Sequence, residues 1–135
     1  MTLTLRVLAP DQSIYDGTAD EVILPSATGQ MGILTGHVTM LTALDSGVVR
    51  VRDGSSWASI AVMGGFAEVE DNAVTVLVNA AELGSTINAA EAEAGFETAK
   101  QAAADFDGKP ASPEKVKAQQ QLAQARARLL ASKGA

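Results

Sequence analysis

Short segments in which apolar and polar residues alternate fill roughly the first 85 residues of the chain. Such alternation is typical of strands that bury one face. Turn signals separate the segments at Pro10–Asp11, Asp16–Gly17, Asp53–Gly54 and Asp71–Asn72. We therefore predict an antiparallel β-sandwich over residues 1–85. Its strands are expected near residues 3–7, 22–24, 33–34, 40–44, 48–52, 57–63, 66–70 and 74–78.

The spacing of apolar residues becomes helical after Leu83–Gly84. Asn88, with Glu91 three residues later, is a typical capping pair, and it opens an alanine-rich helix that runs to Ala104. The first helix carries one apolar stripe, formed by Phe96, Ala99, Ala103 and Phe106.

A second helix follows the break at Asp107–Pro110, with Ser112 as its cap and Pro113 at its first position. Residues 86–135 are thus predicted to form a two-helix hairpin. Each large apolar side chain contributes only about 1.5–3 kcal/mol before ordering costs, so we expect a hairpin that docks but stays mobile. The stripe of the second helix is Ala118, Leu122, Ala125 and Leu129.

Composition narrows the function classes. Hydrophobic residues make up 47% of the chain but aromatic residues only 4%, so aliphatic side chains must fill the core. The absence of cysteine and the presence of a single histidine exclude thiolate and histidine-rich metal sites. A net charge of −6 argues against nucleic acid as a partner. No apolar run approaches the ~18 residues of a membrane span, and no leader is evident, so we expect a soluble chain without membrane insertion.

No arrangement of residues predicts catalysis. Gly29, Gly32 and Gly36 are not followed by the lysine that a phosphate loop requires, so turns are the preferred interpretation. Glu68 and Glu70 alternate with apolar residues, which suits a solvated strand face. No Ser-His-Asp spacing, metal quartet or nucleophile elbow is present. We predict no catalytic residue, no cofactor and no metal.

Three stretches carry a resemblance to a known family. They are Gly29-Gln30-Met31-Gly32-Ile33-Leu34 with Gly36-His37, then Leu8–Asp11 with Tyr15–Gly17, and then Met63–Val69 with Val74–Val78. In this order and spacing they resemble the ε subunit of the rotary F-type ATP synthase, in its cyanobacterial and plastid form. The resemblance covers about the first 85 residues, and the remainder agrees in length and character. It implies a sandwich of about ten strands.

The resemblance also implies a role. Family members are non-catalytic subunits of the central stalk (the rotor), in which the sandwich binds the γ subunit and rests on the ring of c subunits. The corresponding location here is the cytoplasmic or stromal face of a thylakoid membrane, as a peripheral protein. The loop that would face the c ring is Thr28, Gly29, Gln30, Met31, Gly32 and Ile33, with His37 expected close to it.

In this family the helical hairpin regulates ATP hydrolysis. When it extends along γ, it suppresses ATP hydrolysis and meets the catalytic α and β subunits. From Glu114 onward bases outnumber acids, and the resemblance implies that Arg126 and Arg128 contact acidic residues of those subunits. A solvated helix face is the alternative interpretation of both arginines.

Some family members bind ATP through an Ile/Leu-Asp-x-x-Arg-Ala motif. This chain keeps Ile87 but has Asn88 and Glu91 at the Asp and Arg positions, and Gln124 stands where the family has a further arginine. The added carboxylate and the lost cations disfavour phosphate. We predict that the chain does not bind ATP usefully.

Two other function classes remain open at this point. One is a stand-alone β-sandwich binding module that dimerises through its alanine-rich hairpin, since a fold does not fix a function. The other is an enzyme. A rotor subunit should bind γ and stay mainly monomeric when free, whereas a dimerising module should self-associate.

Overall fold

The computed structural model describes residues 2–134, which form ten strands, a short 3-10 turn and two α-helices. The alternating segments become strands because each can bury one row of side chains and leave the other row outside. The strands are β1 (Leu3–Ala9), β2 (Gln12–Ala19), β3 (Glu21–Ser26), β4 (Gly29–Ile33), β5 (Met40–Leu44), β6 (Gly47–Asp53), β7 (Ser56–Val62), β8 (Gly65–Glu70), β9 (Ala73–Val78) and β10 (Ala81–Leu83). The 3-10 turn spans Gly84–Thr86, and the helices are α1 (Ala89–Ala104) and α2 (Pro113–Ser132).

The strands form one sheet that folds over on itself, in the order β10-β7-β6-β3-β5-β8-β9-β1-β2, with β4 paired to β3. The two halves join at the single residue pair Ser26–Leu44, and β2 at one end packs back against β6 and β10. The predicted sandwich is therefore confirmed. One pairing differs, because β1 and β9 run parallel. Alternation does not encode strand direction, and no hairpin links these distant strands.

Aliphatic side chains fill the space between the two halves, as the low aromatic content predicts. Leu3, Leu5 and Val7 all point inward from β1 and are fully buried. Alternate residues of the other strands form the rest of the core, mainly Val22, Leu24, Ile33, Val49, Val51, Ile60, Val62, Val69, Val74 and Val76.

Two of the predicted turns are wrong. Asp16–Gly17 lies inside β2, where the two residues pair with Arg6 and Leu5 of β1. Gly32 lies within β4, whereas the turn predicted at Gly29 is present: the chain reverses in two residues, Ala27–Thr28, and Gly29 follows them with a positive φ of 124°. A two-residue link is sufficient for an antiparallel hairpin. The glycines beyond it are therefore free to pair along the strand.

The predicted hairpin is confirmed, together with its caps. The Asn88 side chain accepts a hydrogen bond from the Glu91 amide at 3.0 Å, and Ser112 does the same for the Lys115 amide at 3.1 Å. Gly108, between the helices, takes a left-handed backbone with φ of 75°. The predicted boundary between residues 85 and 86 falls within the 3-10 turn, and the division into two domains there stays a prediction.

Helix α2 has a second buried face, which the predicted stripe did not include. Ala127 and Ala131 pack with Ala61 of β7 and against Val48 of β6 and Met63. Of the predicted stripe, Ala125 lines the groove toward α1, and Leu129 packs against the same cluster as Ala127 and Ala131. Helix α2 therefore lies between α1 and the outer face of β6 and β7. Because the buried residues of α2 and β7 in this contact are alanines, the helix lies close to the sheet.

The end of α2 approaches the backbone of the sandwich closely at Gly84. A Cβ atom at this position would lie 2.3 Å from the carbonyl oxygen of Ala131 and 2.9 Å from that of Ser59. Backbone atoms cannot move aside as a flexible side chain does. The absence of a side chain at Gly84 is therefore a condition for docking the end of α2.

We predict that Gly84→Ala loosens the hairpin. Overpacking of this kind costs about 1–3 kcal/mol, and α2 is the element that can leave. Hydrogen exchange should show faster exchange of α2 amides while β1 and β9 stay protected.

The matched control is Gly95→Ala, because an added Cβ there meets nothing within 4 Å. This change removes a glycine from a helix interior and should stabilise α1 by about 0.5–1 kcal/mol. Unchanged α2 exchange in Gly84→Ala would contradict the proposed role of the close contact.

Candidate partner-binding surfaces

The two outer faces of the sandwich differ in what covers them. Helix α2 covers the outer face of β6 and β7. On the other half, the outward side chains of β5, β8 and β9 include three large apolar residues that remain exposed. Leu41 is 71% exposed, Phe66 56% and Leu77 50%. The sequence pattern predicted strands here, but it did not single out these residues as a surface.

These side chains form one patch, because the strand register brings them together. Phe66 of β8 lies opposite Ala43 of β5 on one side and Leu77 of β9 on the other. Leu8 of β1 lies beside Leu77 in turn. We call Leu8, Leu41, Ala43, Phe66 and Leu77 the outer apolar patch. Contiguous exposed apolar surface of this kind is typical of a protein–protein contact.

The turn at Ala27–Thr28 is rigid and polar. The Ser26 hydroxyl shares hydrogen bonds with the Thr28 hydroxyl at 3.2 Å and the Thr42 hydroxyl at 3.0 Å, and it accepts one from the Thr28 amide at 3.4 Å. Thr28, Gly29 and Gln30 are exposed. The turn can therefore present a fixed polar surface.

The rest of the predicted loop is less available. Met31 is half-buried against the core, and Gly32 is exposed beside the Glu21 carboxylate. Ile33 is fully buried in the core. A partner can therefore reach residues 28–30 and Gly32, whereas the side chain of Ile33 anchors β4 in the core.

His37 and the turn at Thr28 lie at opposite ends of β4, and the expected support of residues 28–33 by His37 stays a prediction. The two are separated by β4, whose five residues span roughly 17 Å. At this far end the Gly36 amide donates to the Asn72 side chain at 2.7 Å, and the His37 amide donates to the Leu34 carbonyl at 3.2 Å. His37 therefore belongs to the β8–β9 end of the sandwich.

Arg128 forms an ion pair with Glu82 that the sequence analysis missed. Its Nε and Nη2 atoms each donate to one Glu82 carboxylate oxygen at 3.1 Å. We call this pair the hairpin latch, because it joins α2 to β10. Both side chains are more than a third exposed, so the latch contributes about 0.5–1 kcal/mol at most.

Arg126 lies two residues before Arg128 and is exposed. Its guanidinium carbon is 5.9 Å from the centroid of the Phe96 ring on α1. It makes no salt bridge within residues 2–134. The two arginines therefore differ in the docked hairpin, since one is paired and the other is available.

The residues of the ATP motif take structural roles. Asn88 caps α1, and Glu91 is an exposed residue of its first turn. A groove between the helices is lined by Gln124 and Arg128, but the Arg128 guanidinium is already engaged by Glu82. Absence of ATP binding stays a prediction that these contacts support.

The remaining ionisable side chains that the sequence offered as candidates have solvent-exposed or structural positions. Glu68 and Glu70 are exposed, which agrees with the predicted solvated face. The pKa of the Tyr15 phenol lies above its usual value, because burial and the negative charge of Asp53 both disfavour the phenolate. Tyr15 thus stays protonated at neutral pH and donates to the Thr18 carbonyl at 3.3 Å. Across residues 2–134, no three His, Cys, Asp or Glu side chains are grouped to hold a metal ion.

Neither α-helix within the described part of the chain has the length and apolarity that a membrane crossing requires.

Comparisons with known proteins agree with one another. Residues 2–84 match the family model described as ATP synthase, Delta/Epsilon chain, beta-sandwich domain. The chain is 70% identical to an ATP synthase epsilon chain from Synechococcus sp. (strain CC9902) over 135 residues, which are 100% of this chain and 99% of that one. It is 66% identical to the corresponding chain of Parasynechococcus marenigrum (strain WH8102) with the same coverage.

A solved structure has the same fold. A chain of the Euglena gracilis mitochondrial ATP synthase, in a structure of its OSCP, F1 and c-ring parts, superposes with a TM-score of 0.78 at 20% sequence identity. The match covers 98% of this chain and 81% of that one. With these relatives along its whole length, the chain belongs to the ATP synthase ε chain family, in its cyanobacterial form, and is a non-catalytic subunit.

Proposed function

We propose that the chain is a central-stalk subunit that joins the γ subunit to the c ring, and that its hairpin restrains ATP hydrolysis when it leaves the sandwich. Family membership supports the assignment to ATP synthase. The solved structures of similar fold come from assemblies described as containing a c ring or a central stalk. The observation that carries the proposal is the difference between the two outer faces of the sandwich. The face of β5, β8 and β9 is apolar and exposed, whereas helix α2 covers the face of β6 and β7.

The outer apolar patch is the proposed contact with γ. A stalk subunit must stay attached while torque passes through it, and apolar burial supplies attachment that salt does not screen. Phe66 lies at the centre of the patch, where an aromatic side chain contributes most to an interface. Because the patch is on the half of the sandwich that α2 does not cover, γ can remain bound in either state of the hairpin.

The turn at Thr28 is the proposed contact with the c ring. Its exposed residues Thr28, Gly29 and Gln30 are polar or small, and hydrogen bonds through Ser26 hold it in place. Such a surface suits polar loops of a membrane ring at a water interface. His37 lies at the other end of β4, and its support of this turn stays a prediction. The corresponding location is the cytoplasmic or stromal face of the thylakoid membrane, as a peripheral protein.

The docking of the hairpin suits reversible release. The residues of α2 buried against the sheet are alanines, Ala127 and Ala131, and the latch is partly solvated. Release of α2 would free Arg128 from Glu82, so that Arg126 and Arg128 could together meet carboxylates of the catalytic α and β subunits. Paired arginines bind carboxylates in a forked geometry.

We predict that Phe66→Glu weakens binding to a catalytic αβγ assembly by about tenfold or more, because it places a charge at the centre of the apolar contact. Surface plasmon resonance with immobilised αβγ measures the change. Val116→Glu is the matched control, because Val116 is a similarly exposed residue on α2.

A second variant separates the two proposed contacts. Thr28→Arg should bind αβγ normally but lower proton-driven ATP synthesis in the assembled membrane enzyme. Wild-type affinity in Phe66→Glu, or wild-type synthesis in Thr28→Arg, would count against the corresponding surface.

We predict that Glu82→Gln strengthens inhibition of ATP hydrolysis, because it opens the latch and leaves Arg128 free. The docked state should lose roughly two- to fivefold in population, which a titration of αβγ hydrolysis detects as a lower inhibitory concentration. Glu93→Gln, an exposed change of the same charge on α1, should have no effect.

Substitution of the other partner of the ion pair gives a second test of the hairpin latch. Arg128→Gln opens it as well, but it removes a proposed inhibitory arginine and should inhibit less than Glu82→Gln. Equal inhibition by the wild type and both variants would show that the latch has no role in the hairpin equilibrium.

A further inference from the structure

We infer that a cleft between α2 and the sheet binds a small phosphate-type oxyanion, which bridges the hairpin to the sandwich. The cleft has a volume of about 380 Å³ and lies beside the Ala127 contact. A single water takes about 30 Å³, so the cleft has room for an anion that carries more than one phosphate group. It is separate from the groove between α1 and α2 that Ala92, Gln124 and Arg128 line.

Two arginines line this cleft from opposite sides. Arg50 comes from β6 and Arg126 from α2, and neither makes a salt bridge within residues 2–134. No Asp or Glu lines the cleft, although acids outnumber bases in the chain by 16 to 10. A local concentration of unpaired positive charge within an acidic protein favours a multivalent anion.

Arg50 provides the most specific observation. Its Nε atom is buried and has no hydrogen-bond partner. The guanidinium carbon stacks 4.6 Å from the centroid of the Trp57 ring, which holds the group in one plane. A buried donor without a partner is costly, and the cost is accepted here where the stacked guanidinium lines the cleft. The terminal nitrogens of Arg50, unlike Nε, are not buried and can donate to an oxyanion in the cleft. Arginine forks match phosphate oxygens in pairs.

The neutral lining suits the same class of ligand. Gln30 and Ser46 add an amide and a hydroxyl, both able to donate to anion oxygens. Arg126 is exposed and is held only by its contact with Phe96, so it can turn toward the cleft at little cost. The anion would then contact both β6 and α2. Binding would favour the docked hairpin, because only that state brings Arg50 and Arg126 together.

The test is isothermal titration of the isolated full-length chain with pyrophosphate, with inorganic phosphate as a second probe and potassium chloride at matched ionic strength. We expect pyrophosphate to bind more tightly than phosphate and chloride to give no signal. Arg50→Gln and Arg126→Gln should each weaken binding by about tenfold. Lys117→Gln, the same charge change at an exposed α2 position outside the cleft, should leave binding unchanged.

Hydrogen exchange gives a second readout. Saturating pyrophosphate should slow α2 amide exchange in the wild type and in Lys117→Gln, but not in the two cleft variants. Because Arg126 is exposed, its variant keeps the fold and carries the test even if Arg50→Gln lowers stability. No binding at millimolar pyrophosphate, equal binding by the cleft variants, or an equal effect of matched chloride would overturn the inference. The test uses the isolated chain, so its failure leaves the central-stalk proposal untouched.

Discussion

The contact of α2 with the outer face of β6 and β7 is the interaction on which the position of the hairpin depends. Its buried residues on α2 and β7 are the alanines Ala127, Ala131 and Ala61, with Val48 and Met63 partly buried against them, and it requires Gly84 to have no side chain. Such a contact demands a close fit of the backbones, but each buried alanine contributes little free energy. The hairpin latch adds one partly solvated ion pair. A helix held in this way can dock and leave without disturbing the sandwich core.

The sandwich itself has no such weakness. Its aliphatic core joins strands that are distant in sequence, as in the parallel pairing of β1 with β9. A rigid body with one open apolar face and one face under a removable helix can keep a partner bound while its regulatory element moves. Under the proposed function, this division would let the chain stay attached to the stalk while its hairpin moves. Membership of that family replaces the alternative of a stand-alone dimerising module.

Much of the fold could be predicted from the sequence, because local patterns encode it. Alternation predicts strands, and the caps at Asn88 and Ser112 predict the helix ends to within a residue. The failures were at positions where a local signal has two outcomes. A glycine such as Gly32 can turn a chain or lie along a strand, and only the pairing of β3 with β4 decides between the two.

Surfaces were harder to predict than elements, because they depend on which strands become neighbours. The patch around Phe66 requires β5, β8 and β9 to lie side by side. Glu82 and Arg128 are 46 residues apart, so no local pattern links them. His37 illustrates the same dependence, because an extended strand, β4, lies between it and the turn at Thr28.

The most direct test of the account is ATP hydrolysis by a catalytic αβγ assembly, measured with the full chain and with a version that ends at Ser85. If the sandwich is the anchor and the hairpin the inhibitory element, both versions bind αβγ with similar affinity through the outer apolar patch, and only the full chain inhibits. Equal inhibition by both versions would contradict the regulatory role of the hairpin, and failure of both to bind would contradict the central-stalk assignment.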